Sequence, residues 1–133
     1  MDTRKIFIVI IGLTLFITGC KSTVTNSVTF KSIAIGNMYV NFMGETFTIV
    51  PNGSKTVRNI PKGTYNYSTT YDIPSGITSV SLNGAVSGPV VMNADTKITV
   101  LYSSSIQGSG EQKNYIINAS ISSNDKVVTP TSP

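Results

Sequence analysis

The chain has 133 residues, 40% of them hydrophobic and only 12% charged, with a formal net charge of +4, one cysteine and no histidine. That length supports one domain around one core and is too short for two. The lack of histidine removes the commonest general base and the commonest transition-metal ligand together, and the modest charge, spread along the chain, is not that of a nucleic-acid binder.

Residues 1–19 read as an export signal. Arg4 and Lys5 form a basic start, and the apolar run "IFIVIIGLTLFI" from Ile6 to Ile17 follows. The run is too short to span a bilayer as a stable helix. Ile17, Thr18, Gly19 and the lone Cys20 resemble a bacterial lipobox, with an aliphatic residue and two small residues before the cysteine. The resemblance implies cleavage between Gly19 and Cys20, transfer of a diacylglycerol to the Cys20 thiol, and acylation of the new amino terminus. Two or more acyl chains anchor a small protein stably where one does not. The alternatives are an ordinary signal peptide with an incidental cysteine, or an uncleaved anchor. Lys21 stands where an aspartate would argue for inner-membrane retention, so an outer-membrane address is expected if the cell has two membranes. Cleavage removes Arg4, Lys5 and Asp2 and lowers the charge from +4 to +3. With Cys20 acylated, no thiol is left for a disulfide or a zinc site.

Residues 20–27 form a polar tether, and from Val28 the apolar residues alternate at the period of a strand. "SVTFKSIAI" offers Val28, Phe30, Ile33 and Ile35, with a phase change that predicts a bulge or bend. "MYVNF" puts Met38, Val40 and Phe42 on one face and "ETFTIV" does the same with Phe47 and Ile49, Gly44 between them predicting a tight hairpin. "VPNG", "IPKG" and "IPSG" are turns in which proline sets the corner and glycine supplies an open or left-handed backbone. In "TYNYSTTYDI", Tyr65, Tyr67 and Tyr71 share one face and Thr64, Asn66, Ser68, Thr70 and Asp72 the other. "SVSL" and "PVVM" are shorter strands around Asn83-Gly84, read as a turn. "KITVLYSSSI" and "NYIINASIS" are the longest strands, joined through "QGSGEQ" as a hairpin. Residues 123–133 lose the alternation and are expected to fray as a tail.

Seven to nine short strands punctuated by glycine and proline predict an all-β domain over 28–122, a single antiparallel β-sandwich, with a small barrel as the alternative. "IPKGTYNY" is similar to the P-x-G-x-Y corner of transthyretin-like, carboxypeptidase-regulatory-like and PEGA-type extracytoplasmic domains. That resemblance rests on Pro61, Gly63 and Tyr65, and implies a tyrosine packed at the sandwich edge.

Little chemistry is available. The carboxylates after Cys20 are Glu45, Asp72, Asp95, Glu111 and Asp125, each in or beside an expected turn. A pair meeting across a cleft would revive a glycosidase, but no nucleotide, hydrolase or calcium-loop motif occurs. Lys55, Arg58 and Lys62 are the nearest approach to a basic cluster and read as a solvated strand face. The tyrosine row has two readings: core packing with hydroxyls at the rim, or a platform on which Tyr65, Tyr67 and Tyr71 meet a ligand or partner. The expectation is a non-catalytic lipoprotein of the cell envelope, without cofactor or metal. It would be held by membrane lipid through Cys20 and act by contact with another envelope protein; the alternative is a module binding envelope glycan.

Overall fold

The computed structural model describes residues 25–125. The signal peptide, cleavage and lipidation expected at Gly19 and Cys20, most of the tether and the tail from residue 126 lie outside the described residues.

Nine strands and no helix make up the described chain: β1 (Ser27–Ser32), β2 (Met38–Phe42), β3 (Glu45–Ile49), β4 (Ser54–Arg58), β5 (Gly63–Tyr71), β6 (Ser79–Gly84), β7 (Gly88–Met92), β8 (Lys97–Ser109) and β9 (Gln112–Ser123). They form a five-stranded sheet in the order β4-β1-β8-β9-β6 and a four-stranded sheet in the order β3-β2-β5-β7. The two sheets face each other as a sandwich, and neither closes into a barrel. Five pairings are antiparallel, but β1 runs parallel to β8 and β6 parallel to β9. A wholly antiparallel sandwich therefore needs correction: pattern alone tells which face of a strand is buried, not which neighbour it finds.

Alternation sets the core. Val28 and Phe30 from β1, Met38, Val40 and Phe42 from β2, Val90 and Met92 from β7, and Val100, Tyr102, Tyr115 and Ile117 from the long hairpin are all buried. Phe30 reaches across to the other sheet, with ring centroids 5.5 Å from Phe42, Phe47 and Tyr67. Tilted and edge-on contacts of this kind add to the area they bury. The expected hairpin between β2 and β3 turns on Met43 and Gly44, with φ of 52° and 79°. Positive φ at both corners matches the right-handed twist of the strands it joins. The β8–β9 hairpin also forms, but its loop is only Gly110 and Glu111, because the strands run to Ser109 and resume at Gln112.

Three local expectations are corrected. Ile33 and Ile35 are not core residues: β1 ends at Ser32, and they stand 53% and 54% exposed on the following loop, with Ala34 buried between them. In "VPNG" the left-handed residue is Asn52 (φ 63°), closed by the Gly53 N–H to Val50 carbonyl bond of 2.8 Å; Gly63 and Gly76 take φ of 151° and 83°. Asn83-Gly84 is not a hairpin turn. Gly84, with φ 74°, ends β6, and a Cβ there would lie 2.2 Å from the Ala119 carbonyl oxygen. That close approach lets the chain leave the five-stranded sheet and continue through 85–87 into the four-stranded one as β7. The same run of chain thus edges the upper half of one sheet, then the lower half of the other.

Strand directions define two poles. The first described residues, the loops 59–62 and 93–96, and the end of β9 lie at one pole. The loops 33–37, 50–53 and 72–78 and the β8–β9 tip lie at the other.

Candidate interaction surfaces

Tyr65, Tyr67 and Tyr71 share the inward face of β5 with Thr69, as their alternation requires. Tyr67 is 3% exposed, and its hydroxyl donates to the Ala85 carbonyl. Tyr65 is half-buried beside Phe42, and its hydroxyl donates back to the Pro61 carbonyl at 2.8 Å, pinning the corner from which β5 departs. Tyr71 is half-buried against the same core. The row is assembled on one face, but that face points between the sheets. Burial raises Tyr67 to about 12. Tyr102 is raised further by burial, opposed by its 2.7 Å hydrogen bond with Thr69 Oγ1. Tyr115 is fully buried, and its hydroxyl has no partner among the described residues.

Asp72, Asp95 and Asp125 divide between the two poles. Asp72 accepts from the Tyr39 hydroxyl at 3.0 Å on each oxygen, at the far pole. Asp95 takes the Thr25 hydroxyl at 2.8 Å and Asp125 the Asn93 side-chain amide at 2.7 Å, at the near pole. Among the described residues no three His, Cys, Asp or Glu gather as a metal site would need. An open groove of about 680 Å³ lies between Thr78–Ser79 and the hairpin tip, with Glu111 and Lys113 on its wall. A slot of about 80 Å³ lined by Val90, Ile98 and Ile121 opens between β7 and the end of β9, where the change of sheet leaves the seam thin. Neither contains two carboxylates.

Two surfaces stand out, and the sequence pointed to neither. At the far pole the loop 33–37 is laced to its neighbours by backbone. Ser32 N–H donates to the Gly53 carbonyl (3.0 Å), Ile33 N–H to that of Tyr102 (2.8 Å), and Asp72 N–H to that of Asn37 (3.1 Å), while Ile35 N–H reaches the Ser104 hydroxyl (2.8 Å). These bonds gather Ile33, Ile35, Val50 and Ile73, each 53–54% exposed, beside Ile106 on the distal half of β8. Of the exposed large apolar residues among the described ones, only Met43 and Leu82 lie elsewhere. Scattered exposed apolar residues are ordinary; apolar residues gathered at one end mark a contact surface. In the sequence, Ile33 and Ile35 look like core and Val50 and Ile73 like turn flanks, so only the loop-to-loop bonds reveal the patch.

The second surface is the outer face of the five-stranded sheet. Register places Thr56, Thr29, Thr99 and Ser122 in one row across four strands, with Thr29 and Thr56 hydroxyls 3.0 Å apart. Towards the hairpin tip, Asn114 bonds Ser79 and Ser81, and Asn83 bonds Asn118, across the parallel β6–β9 pair. Every outward position on these five strands is Ser, Thr, Asn, Gln, Lys, Arg, Leu or Ile. There is no carboxylate and no aromatic ring among them.

Compared with known proteins, the chain matches no family model and no curated protein.

Proposed function

We propose that this protein is a non-catalytic, lipid-anchored module of the bacterial cell envelope that acts through contacts with another envelope protein. The observation supporting this is polarity along the sandwich. Thr25, which leads back towards Cys20, begins at one pole, and the exposed isoleucines gather at the opposite one. An anchor at Cys20 would hold the near pole within a few residues of the bilayer and present the apolar pole away from it. Apolar side chains that cost nothing to leave in water would have no reason to cluster; a partner that covers them gains about 25 cal/mol for each Å² of apolar surface removed from water.

Detergent partitioning of the native protein beside Cys20→Ser, with intact mass of the detergent phase, tests the anchor. Acyl mass on the native chain alone is expected, and a soluble, unacylated native chain would end the lipoprotein reading. The contact is tested by cross-linking in intact cells with the triple change Ile33→Ser, Ile35→Ser and Ile73→Ser. Stability is expected to stay within about 0.5 kcal/mol of the parent, while the dominant cross-linked species is lost. Its persistence would move the contact surface elsewhere.

A further inference from the structure

The lysines and arginine of the described residues are not evenly distributed in space. Lys31, Lys55, Arg58, Lys62 and Lys97 all lie on β4, on β1, at the first position of β8 or in the loop after β4, leaving only Lys113 apart, at the hairpin tip. In the sequence they are separated by up to 66 positions, and only strand pairing collects them. Arg58, Ser27 and Lys97 form one row across β4, β1 and β8, and Lys31 lies two rows further along β1. With strands about 4.8 Å apart and alternate residues about 6.7 Å apart, Arg58, Lys97 and Lys31 bound a triangle about 10–14 Å on a side. The Thr29, Thr56 and Thr99 hydroxyls occupy its middle. All three cations are exposed.

We infer that this face binds an anionic glycan, a polymer carrying repeated carboxylate or phosphate groups. Charge complementarity identifies the partner: the face presents three cations and no acid, while Asp95 and Asp125 lie on its lower rim, engaged by Thr25 and Asn93. Flatness selects a polymer over a small anion, because the cations stand on a level sheet and line no cavity that would close around a single phosphate. The threonine hydroxyls donate to and accept from sugar hydroxyls between the charged contacts. The lack of an aromatic ring argues against the other polyanion, since single-stranded nucleic acid is held largely by bases stacked on rings, and equally against a neutral sugar stacked on tyrosine. The surface is distinct from the far-pole patch and does not depend on acylation of Cys20.

The test is retention of the full-length protein, in non-ionic detergent, on immobilised polygalacturonate. Dextran serves as the neutral column, and oligodeoxythymidine and poly(glycerol phosphate) serve as competitors. Retention at about 0.05 M salt, with release near 0.5 M as screening shortens the reach of each charge, is expected on the acidic polymer and not on dextran. The triple change Lys31→Glu, Arg58→Glu and Lys97→Glu should weaken retention by at least about tenfold, and Lys113→Glu should leave it unchanged. If the charge-reversed chain fails to fold, the glutamine counterpart carries the same comparison. Competition by poly(glycerol phosphate) with none by free phosphate places phosphate polymers among the ligands and supports the polymer requirement. No retention at low salt, undiminished retention of the triple variant, or better competition by oligodeoxythymidine than by soluble polygalacturonate would each overturn the proposal.

Discussion

At the pole where β1 begins, loops are tied together by one buried side chain, whereas at the opposite pole they are tied by backbone and leave their apolar side chains outside. Asn26 is 1% exposed. Its amide nitrogen donates to the Ile60 carbonyl at 3.0 Å and the Asn93 carbonyl at 2.6 Å, its oxygen accepts the Thr96 N–H at 2.7 Å, and its own carbonyl takes the Ile60 N–H at 3.2 Å. One residue thus satisfies two loops that would otherwise bury unpaired backbone groups. At the far pole the bonds come from the backbone, and the side chains of Ile33, Ile35 and Ile73 stay exposed. The near pole uses a buried side chain to fix where the chain enters, and the far pole leaves its apolar side chains exposed.

The largest effect expected from this comparison is at Asn26. Asn26→Ala leaves the Ile60 and Asn93 carbonyls and the Thr96 N–H without their partner and should cost about 3 kcal/mol in chemical denaturation. A melt like the parent's would show that the near pole is held by something else. The middle of the molecule responds to alkali. An unfolded tyrosine ionises near 10, whereas buried Tyr67 holds its proton to about 12, so the folded state binds more protons than the unfolded one over that interval. Stability from Tyr67 is present below pH 10 and lost as the pH rises from 10 to 12. Tyrosinate absorbance should therefore rise in two stages, the second coinciding with unfolding; a single stage near pH 10 with the fold intact would contradict the burial. The smallest effect sharpens the contrast within one hairpin. Tyr102→Phe abandons Thr69 and should lose about 1 kcal/mol, whereas Tyr115→Phe removes an unpartnered buried hydroxyl and should lose nothing or gain slightly. Equal losses would mean that Tyr115 has a partner after all.

The strands were legible wherever one face is buried and the other wet. Met38, Val40 and Phe42, the tyrosine row of β5 and the long hairpin all follow from alternation and turn residues. What failed to read through depends on partners remote in the chain. Asn26 looks like tether, because Ile60 and Asn93 lie 34 and 67 residues away. Ile33 and Ile35 look like core because nothing local announces that β1 stops at Ser32. The row of Arg58, Ser27 and Lys97 exists only through one antiparallel and one parallel register, and the parallel pairs leave no mark on the alternation of either strand.

The change of sheet between β6 and β7 has a consequence for crowding. An uninterrupted strand along either border would offer a neighbouring molecule a long template for pairing, the usual start of edge-to-edge aggregation. Because β6 stops opposite Ala119 and β7 starts opposite Tyr67, this border is broken into short lengths: β6 and then Ser120–Ser123 on one sheet, Ser68–Tyr71 and then β7 on the other, with Thr69 N–H already taken by the Ser87 hydroxyl. On the opposite borders, β3 and β4 have five residues each, β4 carries Lys55 and Arg58, and β8 extends past the end of β1 from Ser103 to Ser109. Copies packed side by side at high density would meet interrupted ladders along the β6–β7 border, where a single long strand would offer a continuous one.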